Sequence, residues 1–138
     1  MNIDSIPKYT FPKRERLCST KSIDSLFSGG ESFIAYPLRV VYRIETENDE
    51  TQRSASLLIS VSKKKFKRAV KRNRVKRLIR EAYRLNKAPI SELLENKGIR
   101  MDIALLYLKD ELPTYVDIEK SILKTISILS DRLKTEEK

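Results

Sequence analysis

Four apolar residues, Val75, Leu78, Ile79 and Ala82, recur at i, i+3, i+4 and i+7 inside a stretch otherwise dominated by lysine and arginine. That spacing commits the stretch to a helix with one core-facing stripe. At about 100° per residue, Asn73, Arg77, Arg80 and Arg84 fall on the opposite side, flanked by Arg74 and Lys76. Phe66, Ala69 and Val70 also fall on the basic side, so one straight helix from 66 to 84 would carry two apolar faces. The regular helix is therefore expected to begin between Ala69 and Lys71, with Phe66 packing onto the core from a preceding loop.

The flanks restrict the fold further. Ala55 to Ser62 alternates, with Leu57, Ile59 and Val61 on one face and Leu58 on the other. Met101 to Leu108 is almost continuously apolar, as in a strand covered on both faces. Strand, helix and strand make a β-α-β unit with parallel strands. Upstream, Ser19 or Thr20 can cap a short helix carrying Ile23, Leu26 and Phe27, with Gly29 and Gly30 expected as a left-handed stop. Phe33 to Ile44 reads as one strand, with Leu38, Val40, Tyr42 and Ile44 facing one way and Arg39, Val41 and Arg43 the other. Pro37 places its start at an edge or a bulge. The polar run Glu45 to Arg53 is a connection. Ala88 to Asn96 reads as a helix opened by Pro89 and stopped at Gly98. A last helix follows Pro113, with Thr114 as cap, Asp117 three residues on, and the stripe Ile118, Ile122, Ile126, Leu129 and Leu133. With no repeat or boundary, residues 1–138 read as a single α+β domain, a small mixed sheet with helices packed on it. Residues 1–10 are expected to be a flexible arm and 135–138 a frayed tail.

Charge narrows the function. Lys63 to Arg84 holds twelve of the 29 lysines and arginines against the single acid Glu81, a local +11 in a chain of net +10. The remainder is therefore at −1. Solvated helices usually alternate sign; a one-signed face repels itself, and a polyanion relieves that cost. A membrane surface fits less well, since the apolar stripe is short and lacks interfacial Trp or Phe. Nucleic acid fits best, RNA rather than DNA, because no helix-turn-helix or finger pattern occurs. Asn73 adds a group that both donates and accepts. No run approaches the ~20 apolar residues of a membrane span. The N-terminus lacks a signal-peptide pattern, and the lone Cys18 suits a reducing compartment, so the protein is expected in the cytoplasm. Without histidine or a glycine-rich phosphate loop, the usual triads, most zinc sites and nucleotide cradles are excluded. If the chain belongs to an enzyme, the reacting groups are expected elsewhere than on its side chains.

The run Ser60-Val61-Ser62-Lys63-Lys64, followed by Ala69-Val70-Lys71-Arg72-Asn73-Arg74-Val75-Lys76-Arg77-Leu78-Ile79-Arg80-Glu81-Ala82-Tyr83, resembles the protein subunit of bacterial ribonuclease P. The likeness extends, mainly as pattern, over about residues 9 to 133, through Phe11-Pro12-Lys13, Arg16-Leu17, the helix ending in Phe27 and the strand holding Tyr42. The resemblance implies an α/β sandwich whose β-α-β unit crosses over left-handed, against the usual rule. It implies a non-catalytic subunit of a ribonucleoprotein endoribonuclease that matures the 5′ end of tRNA. Its partners would be the catalytic RNA and precursor tRNA, with no DNA or membrane. Mg²⁺ would be held mainly by the RNA and none by protein side chains alone. By position, Lys64, Arg68, Arg72, Asn73, Arg74, Lys76, Arg77 and Arg80 become the candidates for contact with the catalytic RNA.

The single-stranded 5′ leader would lie on the sheet beside the first helix. Its candidate contacts are Phe11, Lys13, Arg16, Phe27, Arg39, Tyr42 and Arg43. Phe27 and Tyr42 serve there either as stacking platforms or as ordinary core. Phe11 either stacks on RNA or tucks against the core. Ile23 departs from the family, where an aromatic is frequent, and the connection Lys63 to Arg68 is more basic than the family's glycine-containing form. Two other classes remain in view: a general RNA-binding or RNA-chaperone module without a role in cleavage, and a protein-only nuclease. The nuclease would need clustered carboxylates for Mg²⁺, and acids are nearly absent near the basic helix.

Overall fold

The computed structural model describes residues 20–45 and 54–135. Eight elements follow in order: α1 (Thr20–Gly29), β1 (Glu31–Ala35), β2 (Leu38–Glu45), β3 (Ser54–Ser60), α2 (Ala69–Asn86), α3 (Ala88–Lys97), β4 (Arg100–Tyr107) and α4 (Tyr115–Thr135). The strands form one sheet in the order β1-β2-β4-β3. β2 is antiparallel to both β1 and β4, while β3 and β4 run parallel, Leu57 opposite Ile103, joined through α2 and α3. The α+β class and the β-α-β unit expected from the sequence are both present.

Side-chain alternation divides the sheet into two unequal faces. One carries Val40, Tyr42, Leu57, Met101, Ile103, Leu105 and Tyr107, which pack with α2, α3 and α4 into the main core. The other carries Val41, Ala104, Leu58 and Leu106, covered by Leu26 and Ile23 of α1. β4 is central and meets helices on both faces, which explains its nearly unbroken apolar run.

Most element starts and stops follow their local chemistry. Thr114 Oγ1 accepts the Asp117 N–H at 3.2 Å and opens α4, whose stripe from Ile118 to Leu133 is buried as expected. α3 ends at Gly98, left-handed at φ 64°, where the Gly98 N–H donates to Glu95 and the Ile99 N–H to Leu94.

Three expectations need correction. The single strand from Phe33 to Ile44 is a hairpin: β1 and β2 turn at Tyr36-Pro37, with Ala35 opposite Leu38. Both arms keep period two, but the two-residue turn shifts the phase, so that Phe33 and Ala35 share the core face with Leu38, Val40 and Tyr42. Gly29 and Gly30 are not a left-handed stop, since Gly98 is the positive-φ glycine of the described residues. Gly30 is needed for another reason: a Cβ there would stand 2.4 Å from the Leu26 carbonyl and 2.8 Å from that of Tyr42. The strand expected over Ala55 to Ser62 stops at Ser60, and Val61 and Ser62 lead into the connection.

Candidate nucleic-acid interface

The connection from β3 to α2 is a tight, one-signed loop. Phe66 and Lys65 both return their N–H groups to the Ser62 carbonyl, at 3.1 and 3.2 Å, and the Lys64 N–H reaches Ser62 Oγ at 3.1 Å. Phe66 is buried, its ring 6.1 Å from Tyr107, so the apolar anchor comes from the loop and not the helix, as the phase of the sequence requires. The Lys65 ammonium donates to the Leu108 carbonyl, tying the loop to the end of β4. Lys63, Lys64, Lys67 and Arg68 stay exposed.

α2 starts at Ala69, within the expected window. Arg68 occupies the N-cap in extended conformation, without a side-chain cap and with no acid in the first turn. The positive end of the helix is thus surrounded by cations, a field that favours an anion. Val75, Ile79, Ala82 and Tyr83 are buried and Leu78 is half-buried. Tyr83 lies beyond the stripe expected from the sequence, although it stands at i+8 from Val75 and i+4 from Ile79. Asn73, Arg74, Arg77 and Arg80 form an exposed row, with Lys76 half-buried at its margin. Arg84, at the far end of that face, pairs with Glu81 at 2.6 Å, and this hydrogen bond holds the Glu81 carboxyl below its usual range.

Arg72 is different. Its Nη1 donates to the Phe66 carbonyl at 2.7 Å and to the Lys67 carbonyl at 2.9 Å. The guanidinium folds back on the loop, although the family resemblance makes Arg72 a candidate for contact with the catalytic RNA.

The leader candidates divide. Val41 packs against Leu26 of α1, and Arg39 and Arg43, two residues either side of it, share its face of β2. Arg39 is exposed, and Arg43 lies opposite the buried Asp102, which Arg100 engages at 2.9 Å. Phe27 is 47% exposed and Ile34, paired with Arg39, is 51% exposed on that face. Ile23 is half-buried beneath α1. Tyr42 is not brought to this group. It stands on the opposite face, 3% exposed, donating its hydroxyl to Glu31 and receiving a 2.6 Å hydrogen bond from Arg132. The Arg132 guanidinium also lies 5.0 Å from the Phe33 ring centroid and 5.4 Å from that of Tyr42. Burial, with the Glu31 hydrogen bond second, raises the Tyr42 phenol. Of its two sequence readings, core packing is the one realised. Phe11, Lys13 and Arg16 lie outside the described residues.

Among the described residues no three His, Cys, Asp or Glu side chains come together as a metal site, and no helix is long and apolar enough to cross a membrane.

Comparison with known proteins finds relatives of one family. The model of the Ribonuclease P family matches residues 11–129. A ribonuclease P protein component from Porphyromonas gingivalis W83 is 45% identical over 122 residues, covering 88% of each chain. One from Chlorobium phaeobacteroides is 36% identical, covering 78% of this chain and 75% of that relative. Among solved structures, the ribonuclease P protein of Staphylococcus aureus aligns with a TM-score of 0.63 at 26% identity, over 83% of this chain and 94% of the other. That of Thermotoga maritima gives 0.64 at 25% identity, over 83% and 96%.

Proposed function

The chain belongs to the ribonuclease P protein family, and from that premise we propose that its basic helix holds the catalytic RNA while the α1 side of its sheet receives the 5′ leader of precursor tRNA. It is the protein component of a ribonucleoprotein endoribonuclease, and its partners are the ribonuclease P RNA and precursor tRNA. The observation carrying the proposal is the separation of two cationic surfaces by the sheet. The row Asn73, Arg74, Arg77 and Arg80, with Lys64, Arg68 and Lys76 beside it, lies on the helical layer over one face. Arg39, Arg43 and Phe27 lie with α1 over the other.

The row on α2 has the character of a phosphate contact. Its arginines project at helical intervals and read no sequence by themselves. The α1 side adds the exposed ring of Phe27 to two arginines, a combination suited to an unpaired strand whose bases stack while its backbone is neutralised. Phe11, Lys13 and Arg16 extend the same proposal from the N-terminal segment.

The family's enzyme is metal-dependent. Because no carboxylate cluster forms among the described residues, the proposal assigns Mg²⁺ to the partner RNA, and the chain contributes positioning and charge. Its place is the cytoplasm, with its RNA partner.

Reconstitution tests the reading. The protein alone should leave precursor tRNA intact in Mg²⁺. Added to the catalytic RNA, it should lower the magnesium or substrate concentration needed, and shortening the leader should shrink that benefit. Cleavage by the protein alone, or no effect on the RNA reaction, would overturn it.

A further inference from the structure

The tip of the β1–β2 hairpin carries an aromatic ring that the core does not use. Tyr36 is 62% exposed, and the Lys109 ammonium sits 5.4 Å from its ring centroid. Beside it lies a depression of about 480 Å³, lined by Tyr36, Lys64, Lys65, Lys109, Asp110 and Glu111. That volume falls in the range that admits a small organic ligand.

Three segments far apart in sequence build the site, and hydrogen bonds hold them together. The Leu108 N–H donates to the Pro37 carbonyl at 2.8 Å, joining the hairpin tip to the end of β4. Lys65 ties the β3–α2 loop to the Leu108 carbonyl, and the Tyr107 hydroxyl donates to the Glu111 carbonyl at 2.7 Å. The ring is therefore presented on a braced frame and not on a free loop end.

Its position bears on its use. The Ile34–Arg39 pair, on the α1 side, lies just before the tip, while Lys64 belongs to the basic connection that enters α2. The depression thus sits where the two RNA surfaces approach each other.

We infer that this depression binds one unpaired RNA nucleotide, with its base stacked on Tyr36 and its flanking phosphates met by Lys64 and Lys109. Stacking on an exposed aromatic beside lysines is how unpaired strands are held without sequence preference. Asp110 and Glu111 accept hydrogen bonds only, so they face the amino and imino hydrogens of a base edge, not a phosphate. The inference rests on the RNA-binding reading above. The nucleotide belongs either to the precursor leader or to the catalytic RNA, and binding assays separate the two.

Full-length Tyr36→Ala, Tyr36→Phe and wild-type protein would be titrated separately with the catalytic RNA alone and, in the reconstituted holoenzyme, with precursor tRNA. Circular dichroism and a thermal melt would establish that the variants fold. The expected result is a loss of about 5- to 150-fold for Tyr36→Ala in one arm, largely restored in Tyr36→Phe, which keeps the ring. Loss in the first arm assigns the nucleotide to the catalytic RNA; loss confined to the second assigns it to the leader. Wild-type affinity of a folded Tyr36→Ala in both arms overturns this inference and leaves the assignment of the α2 face intact. Failure of wild-type protein to bind in either arm overturns both.

Discussion

Arg72 and Phe66 are joined through the backbone: the Arg72 guanidinium donates to the Phe66 carbonyl at 2.7 Å, one turn ahead of its own helix. With a second hydrogen bond to Lys67, it holds the loop that carries the exposed lysines. A lysine at this position would keep the charge and lose the fork. Arg72→Lys should accelerate amide hydrogen exchange across residues 66–72 and weaken catalytic-RNA binding, with the salt slope little changed. Unaltered exchange would show that the brace contributes nothing.

Arg74, Arg77 and Arg80 make the opposite prediction. They are exposed and project outward, so each phosphate contact removed should lower the slope of log K against log salt by about one. Arg74→Ala with Arg77→Ala should weaken binding to any long RNA while leaving the thermal melt nearly unchanged. A slope equal to wild type would remove the row from the interface.

Tyr42→Phe should reduce stability without changing leader affinity. It deletes the hydroxyl shared by Glu31 and Arg132 but keeps the ring against Phe33. The expected cost is about 1 kcal/mol, read from urea denaturation. A loss of leader binding with unchanged stability would return Tyr42 to the leader site.

Gly30→Ala should be among the most damaging small substitutions. Its Cβ would meet two backbone carbonyls, which cannot move aside as a side chain would. A loss of about 2 kcal/mol or more is expected, visible as a lowered melting temperature. A melt within a degree or so of wild type would mean that the α1–β1 junction shifts freely.

Tyr107 predicts a loss of stability in alkali. Burial first, and then nearby Tyr36 and acidic groups, push its phenol up to about 12 from 10.0. The folded state therefore keeps the proton longer than the unfolded chain. Its contribution is fully present below pH 10 and declines as pH rises from about 10 toward 12. Tyrosinate absorbance should show one late-titrating phenol that Tyr107→Phe removes, together with part of the alkaline loss of stability.

How much of this was legible depends on the range of the interaction. Helical phase located the start of α2 and released Phe66 to the loop, because a stripe and a misfit to it are local properties. The same logic read α4 and the Gly98 stop. It failed at Tyr36-Pro37, where each arm alternates by itself and the shift of phase between Ala35 and Leu38 spans only two residues. It could not separate Val41 from Tyr42 either, since both faces of β2 are covered and alternation does not say which face α1 takes. Arg72 looks like its neighbours in any tally of charge; its helical phase sets it beside Ile79, and the path of the loop supplies the carbonyls that take its guanidinium.

Because β2 is sheathed on both sides, its length is a parity condition. Inserting one residue between Leu38 and Arg39 would turn Val40 toward α1 and drive Arg39 into the helical layer, whereas inserting two would preserve every assignment. Lineages of this protein should therefore gain or lose residues in this strand in pairs or not at all.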